Sequence, residues 1–253
     1  GPPGSGKSML AKRIPTIMPA MTLDEAIETT KIHSVCGLLD EKNAFVAHRP
    51  FRAPHHTISD IGLLGGSTNP TPGEVSIAHN GVLFLDELPS LAPSLQAKLL
   101  TAIEDRRLRR VGASRSLPVD VRVIAATNAD LAALSAEGRF RADLMHRLDL
   151  FRVRLPPLRE RGDDVVTLAE ELLVRVCRRY GQKTPAIPAA GRRRLLAHRW
   201  PGNVRELQNV IERAVILCPD GGELSEGHLG FHPSSVTVAI TPPAPSRNLA
   251  ATG

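Results

Sequence analysis

The chain opens on Gly1-Pro2-Pro3-Gly4-Ser5-Gly6-Lys7-Ser8, which fits the pattern G-x-x-x-x-G-K-[ST]. Gly1, Gly4 and Gly6 let backbone wrap closely around a phosphate, and the N–H groups around Ser5, with the start of the following helix, can hold the anion. Lys7 can reach the β- and γ-phosphates and the Ser8 hydroxyl can bind Mg²⁺, so the chemistry on offer is that of magnesium-bound ATP. Asp86 and Glu87 close the apolar run Val82-Leu83-Phe84-Leu85, at the strand end where ligands bind in open α/β sheets. Neighbouring side chains on a strand point in different directions, so Asp86 can hold the metal while Glu87 polarises the attacking water. Thr127-Asn128 ends the apolar run Val121 to Ala126 in the same way, and a neutral amide there can orient water or sense the γ-phosphate.

Elements must carry these groups. Residues 1 to about 160 alternate helical stretches with short apolar runs, the pattern of an α/β domain with a mainly parallel sheet. A helix is expected over Met9 to Ile14, buried strands over 82–85 and 121–126, and between them a helix packing Leu95, Leu99, Ala102 and Ile103 on the sheet. After Pro156-Pro157 the pattern turns all-helical, with Val165, Leu168, Leu172 and Val176 on one face and Leu195-Leu196 on a second helix. This reads as a smaller domain over 161–230. Its last helix follows Pro201-Gly202, with Asn203 and Glu206 spaced as a capping box and Val204, Leu207, Ile211 and Ala214 as the apolar stripe. Residues 231–253, rich in Pro, Ser, Ala and Thr, read as a disordered tail. The chain begins inside a motif, without Met or a strand before it. It is therefore expected to be a fragment lacking the strand that feeds the glycine loop, with low stability by itself.

The 253 residues, 42% hydrophobic and 23% charged, suffice for one core plus a satellite. A net charge of +6 permits acidic or nucleic-acid partners and equally describes a solvated surface. Three separated cysteines, Cys36, Cys177 and Cys218, suit a reducing cytoplasm and small buried hydrophobes. His55-His56, or His33 with Cys36, lack the further ligands a metal site needs. No apolar run is long enough to span a bilayer.

Two resemblances rest on longer strings. Over residues 1–89 the chain resembles the magnesium-chelatase-like ATPases of the ComM/YifB type, through GPPGSGKS, RPFRAPHHTISD and GGSTNPTPGEVSIAHNGVLFLDELP. Over 94–229 it resembles the central domain of sigma-54-dependent enhancer-binding transcriptional activators, through QAKLL, VDVRVIAATNADL, FRADLMHRL, LPPLRER and WPGNVRELQNVIERAV. Both are AAA+ ATPases. Both imply a P-loop parallel sheet with helices on both faces, a small all-α lid and a homo-hexameric ring hydrolysing ATP.

The second resemblance makes Asn128 the sensor I residue and Arg205 the sensor II arginine. It makes Arg141 and Arg147 arginine fingers that act on a neighbour's nucleotide. It also implies sigma-54 RNA polymerase as the remodelled partner, yet the activators' GAFTGA loop is absent and Ile61 to Ser76 takes its place. The first resemblance implies a DNA motor instead. Arg106, Arg107, Arg109, Arg110 and Arg115 fall where both families place a pore-facing hairpin, and could neutralise phosphates of a threaded strand. Arg192-Arg193-Arg194 reads as an exposed helix face. A third possibility is an inactive binding fragment or a join of two genes, against which stand the intact Lys7, Asp86, Glu87, Asn128 and Arg147.

Overall fold

The computed structural model describes residues 1–39, 44–66, 71–112, 115–218, 224 and 227–230. The tail expected from residue 231 lies outside the described residues. The chain divides into two compact units, Gly1–Val165 with His198–Leu207, and Val166–Ala197 with the chain from Gln208.

In chain order, helix α1 (Lys7–Ala11) follows the glycine loop, and α2 (Ile14–Ile17) and α3 (Leu23–Val35) precede strand β1 (Phe51–Arg52). Helix α4 (Asp60–Leu64) runs into a hairpin of β2 (Gly65–Gly66) and β3 (Thr71–Pro72). Next come α5 (Glu74–Ile77), β4 (Gly81–Leu85), α6 (Pro93–Glu104) and a second hairpin, β5 (Arg107–Arg109) with β6 (Ser116–Pro118). Strand β7 (Val121–Ala125), α7 (Leu131–Ala136), α8 (Ala142–Leu148), α9 (Asp164–Tyr180), α10 (Ala189–Ala197) and α11 (Asn203–Leu217) complete the order.

Met9 to Ile14, expected as one helix, instead spans two. Pro15 has no N–H to offer the Ala11 carbonyl, so α1 stops at Ala11; in the first turn of α2 that missing donor is not needed. Helix α3 starts on a complete capping box, Thr22 Oγ1 accepting from Glu25 N at 3.2 Å and Glu25 Oε2 accepting from Thr22 N at 2.7 Å.

The main sheet is parallel in the order β1-β4-β7, with Val82 opposite both Phe51 and Arg122. Strand alternation splits β4 between two layers. Leu83 and Leu85 face a core that includes Leu63, Leu64, Val75, Leu95, Leu99 and Leu144 from α4, α5, α6 and α8. Phe84 faces the other way, onto Ala11 of α1, Ala126 and Phe51. The sheet is thus flanked by helices on both faces, as expected. Helix α6 buries Leu95, Leu99 and Ala102, also as expected. Strand β4 is wholly buried, but β7 is not: Arg122 and Ala125 are exposed and Val121, Val123 and Ile124 half-buried. Among the described residues β7 has a strand neighbour on one edge only, whereas β4 has one on each, and that difference decides their burial.

In the second unit, Leu172, Leu173, Val176, Cys177, Leu195, Ile211, Ala214 and Cys218 are buried. Arg192, Arg193 and Arg194 are exposed, and Arg192 pairs with Glu170 at 2.6 Å. No helix among the described residues is long and apolar enough to cross a membrane.

Candidate active site

The loop Gly1 to Ser8 needs its glycines for two separate reasons. Gly4 and Gly6 have φ of 71° and 94°, the left-handed region that L side chains rarely occupy. A Cβ on Gly4 would also lie 2.4 Å from the Gly202 carbonyl oxygen, so any side chain there would displace the backbone behind it. Ser5 is buried, and its hydroxyl oxygen has no hydrogen-bond partner. A buried polar atom left unpaired is unfavourable by about 1–3 kcal/mol, which fits a loop built to receive a polar guest.

Lys7 Nζ donates to the carbonyls of Gly1 at 2.9 Å and Pro2 at 3.0 Å, so its ammonium folds back over the loop. Ser8 Oγ donates to Asp86 Oδ2 at 2.9 Å, joining α1 to the carboxyl end of β4. The other oxygen of Asp86 accepts from Glu87 N at 3.0 Å. Glu87 then leaves the strand with φ 50°, and its exposed carboxylate lies 3.3 Å from His56 Nδ1. The His55 and His56 rings lie 4.1 Å apart. No group of His, Cys, Asp and Glu able to hold a metal is found among the described residues. His56 thus stands beside the candidate water-polarising group, a role the sequence reading did not see. The signal was its place shortly after β1, the parallel neighbour of β4.

Thr127 and Asn128 follow β7 as expected. The Thr127 carbonyl accepts from the Gly1 N-terminus at 3.4 Å, which brings that strand end to the start of the glycine loop, and Asn128 is exposed beside it. Arg205, in the first turn of α11, passes next to the same loop: its Cβ would lie 3.3 Å from a Cβ on Gly4. Gly1, Gly4, Ser5, Gly6, Lys7, Ser8, Asp86 and Arg205 are therefore gathered within one unit.

Arg141 and Arg147 stand elsewhere, at the two ends of α8, and no hydrogen bond or ion pair joins either to this loop among the described residues. Arg141 forks onto Asp143 through Nε at 3.0 Å and Nη2 at 2.6 Å. That hydrogen bonding raises the Arg141 pKa and holds the Asp143 carboxyl below the usual carboxylate range. Arg147 is exposed in the last turn. Buried Gln96 ties this helix to α6, accepting from Arg141 N at 3.0 Å and donating to the Leu91 carbonyl at 2.9 Å.

Two further residues hold the loop, in roles the spacing does not predict. Asn203 does not cap α11: it is the first helical residue, at φ 53°, and its amide bridges outward. Nδ2 donates to the Pro3 carbonyl at 3.0 Å, and Oδ1 accepts from Leu158 N at 2.8 Å. Glu206 does reach back, but to Gly202 N at 2.8 Å. Arg161 donates to the Ser5 carbonyl at 2.7 Å and to the Pro156 carbonyl. Neither residue carried a spacing signal that separates such contacts from ordinary caps and surface arginines.

With this geometry in view, residues 1–163 match the family described as magnesium chelatase, subunit ChlI, and residues 159–238 match the AAA+ ATPase lid domain. The chain belongs to the magnesium chelatase ChlI family of AAA+ proteins. This AAA+ chain is also 41% identical over 232 residues to the alginate biosynthesis transcriptional regulatory protein AlgB of Pseudomonas aeruginosa, covering 91% of the chain and 48% of that protein. It is 40% identical over 217 residues to the DNA-binding transcriptional activator HyfR of Escherichia coli, covering 86% of the chain and 30% of that protein. The chain therefore spans half or less of the length of these curated relatives. Among solved structures, it superposes on NtrX from Brucella abortus in complex with ADP with a TM-score of 0.69 at 31% identity, over 91% of this chain and 48% of that one. The ATP complex of NtrX gives 0.68 at 30% identity, over 91% and 50%. The two resemblances read from sequence are both present, and the magnesium chelatase match runs past residue 89 to residue 163.

Proposed function

We propose that this chain binds ATP with Mg²⁺ and couples its hydrolysis to the remodelling of a macromolecular partner, in transcription regulation of the sigma-54-dependent type. The single observation that supports it most is the Ser8–Asp86 hydrogen bond, which places a hydroxyl and a carboxylate from the two motifs in reach of one hard cation. On this reading Gly1, Gly4, Ser5, Gly6 and Lys7 hold the phosphates, and Ser8 and Asp86 hold the metal. Magnesium supplies charge neutralisation at the phosphates. Glu87 orients and polarises the attacking water, and the exchange of Lys7 from its loop carbonyls to the phosphates replaces one set of acceptors by a more strongly charged one. Asn128 and Arg205 read the γ-phosphate. Arg141 and Arg147 serve the nucleotide of the next subunit in a homo-hexameric ring, with residues 161–230 as the lid and the cytoplasm as its compartment.

The regulators AlgB and HyfR, and NtrX solved with ATP and with ADP, support this choice of partner and ligand. A specific observation also favours a DNA motor: β5 presents Arg107 and Arg109 outward from buried Leu108, on a hairpin bridged to β2 through Gly66 and Val111. Residues 67–70 and 113–114, which include part of the stretch standing where a GAFTGA loop would be, lie outside the described residues. Two assays separate the readings. Capture of sigma-54 in the presence of an ATP transition-state mimic, with no effect of DNA on turnover, supports the first. Stimulation of ATP turnover by forked DNA, without sigma-54 capture, replaces it by the second.

A further inference from the structure

The carbonyl oxygens of the glycine loop are satisfied one after another. Gly1 and Pro2 accept from Lys7, Pro3 from Asn203 Nδ2 at 3.0 Å, Gly4 from Val204 N at 2.9 Å, and Ser5 from Arg161 Nη2 at 2.7 Å. The last three donors come from outside the loop, on segments more than 150 residues along the chain. In a planar trans peptide the C=O of one residue and the N–H of the next point in opposite directions. Pinning the carbonyls of Pro3 and Ser5 therefore turns the N–H groups of Gly4 and Gly6 to the opposite, inner side of the loop, while Ser5 N, which follows the pinned Gly4 carbonyl, donates to the Pro2 carbonyl at 3.4 Å. Those of Gly4 and Gly6 make no hydrogen bond to any described residue.

We infer that Asn203, the backbone N–H of Val204 and Arg161 form a clasp that sets the peptide planes of the phosphate cradle, and that Asn203 and Arg161 are positioning residues for nucleotide affinity. This rests on the ATP-binding reading of the loop. The design of Asn203 supports it. Its amide is fully used, one end holding Pro3 and the other the Leu158 N–H; it is buried, and it holds a left-handed backbone conformation, which Asn tolerates better than most residues. A residue placed only to cap α11 would direct its oxygen at that helix's own first turn. The clasp leaves the γ-phosphate end to Arg205 and Asn128, so its effect falls on the part of the nucleotide that ADP and ATP share.

The test is made in the full-length protein with Mg-ADP and Mg-ATP as probes, measuring dissociation constants by titration together with KM and kcat. Arg161→Gln replaces the charged guanidinium that reaches the Ser5 carbonyl by a shorter neutral amide, and Asn203→Asp removes the amide donor while keeping an acceptor for Leu158 N. Each is expected to weaken both nucleotides equally, by about tenfold, with kcat at saturation changed by less than about twofold, the scale of one hydrogen bond lost from preorganisation. Arg161→Lys, which can still donate to the Ser5 carbonyl, recovers part of the affinity. If Asn203→Asp fails to fold, the Arg161 pair carries the test alone. Unchanged affinity in Arg161→Gln, or weakening of ATP without ADP, or a fall in kcat at unchanged KM, overturns the clasp. A wild-type protein that binds neither nucleotide overturns the ATP reading itself, a result distinguishable from the first three.

Discussion

The loop around Lys7 and the helix around Arg147 treat their charged groups in opposite ways. Around the loop the carbonyls and most side chains are tied within the same unit, Lys7 on its own carbonyls, Ser8 on Asp86, and Asn203 and Arg161 on the Pro3 and Ser5 carbonyls, while the Ser5 hydroxyl and the N–H groups of Gly4 and Gly6 stay open. On α8, the Arg141 guanidinium is paired with Asp143 two residues away, and Arg147 is exposed. The first region is prepared from inside one chain, whereas the second presents its charge outward. The proposed site shared between subunits would use that contrast, one half prebuilt and the other supplied by a neighbour.

The largest effects test that division. On the proposed reading, in which Glu87 polarises the attacking water and Arg147 stabilises the transferring phosphoryl group, Glu87→Gln and Arg147→Ala are each expected to lower kcat by about 10³ with KM little changed. Mixing the two inactive proteins should then restore a fraction of turnover, because some sites take Glu87 from one chain and Arg147 from the other. A mixture as inactive as its parts, with rings formed, breaks the comparison. Next in size, Lys7→Ala should weaken Mg-ATP binding by about 10², the loss of charge-assisted contacts, whereas Arg147→Ala should leave binding almost unchanged. Comparable losses in the two would place both groups in one binding site.

Smaller effects sharpen the picture. Leu83→Ala, in the wholly buried β4, should destabilise by about 3 kcal/mol, and Val123→Ala in half-buried β7 by about 1 kcal/mol, read from denaturant midpoints. Smallest is Asp143→Asn. Asp143 titrates below the usual carboxylate range because Arg141 hydrogen-bonds to it, so its contribution is present above that range and fades as pH falls through the lowered value. Any gap in thermal midpoint between wild type and Asp143→Asn should therefore appear at neutral pH and close in acid. A gap that widens in acid contradicts the sign.

How much of this was legible follows from range. The glycine loop, the acids after β4 and the stripe of α6 are local patterns with a fixed chemistry or period, and each stands in the fold where the spacing put it. Strands 82–85 and 121–126 look alike in sequence, and among the described residues the first has a strand on each edge and the second on one, which is why their burial differs. Asn203 has the spacing of a cap because Asn before a helical stripe is one of the commonest helix starts. Its partners, Pro3 and Leu158, lie 200 and 45 residues away, where no spacing rule reaches. His56 escaped for the same reason: its pairing with Glu87 depends on β1 lying beside β4.

The central claim is that Lys7, Ser8, Asp86 and Glu87 surround one magnesium nucleotide, and its most direct measurement is ATP affinity with and without Mg²⁺ in wild type and in Asp86→Asn. The expected result is that Mg²⁺ tightens ATP binding in the wild-type protein and fails to do so in Asp86→Asn, while metal-free affinity stays similar in both. Equal tightening in the two proteins would remove Asp86 from the site, and the contact with Ser8 would be no more than a brace between helix and strand.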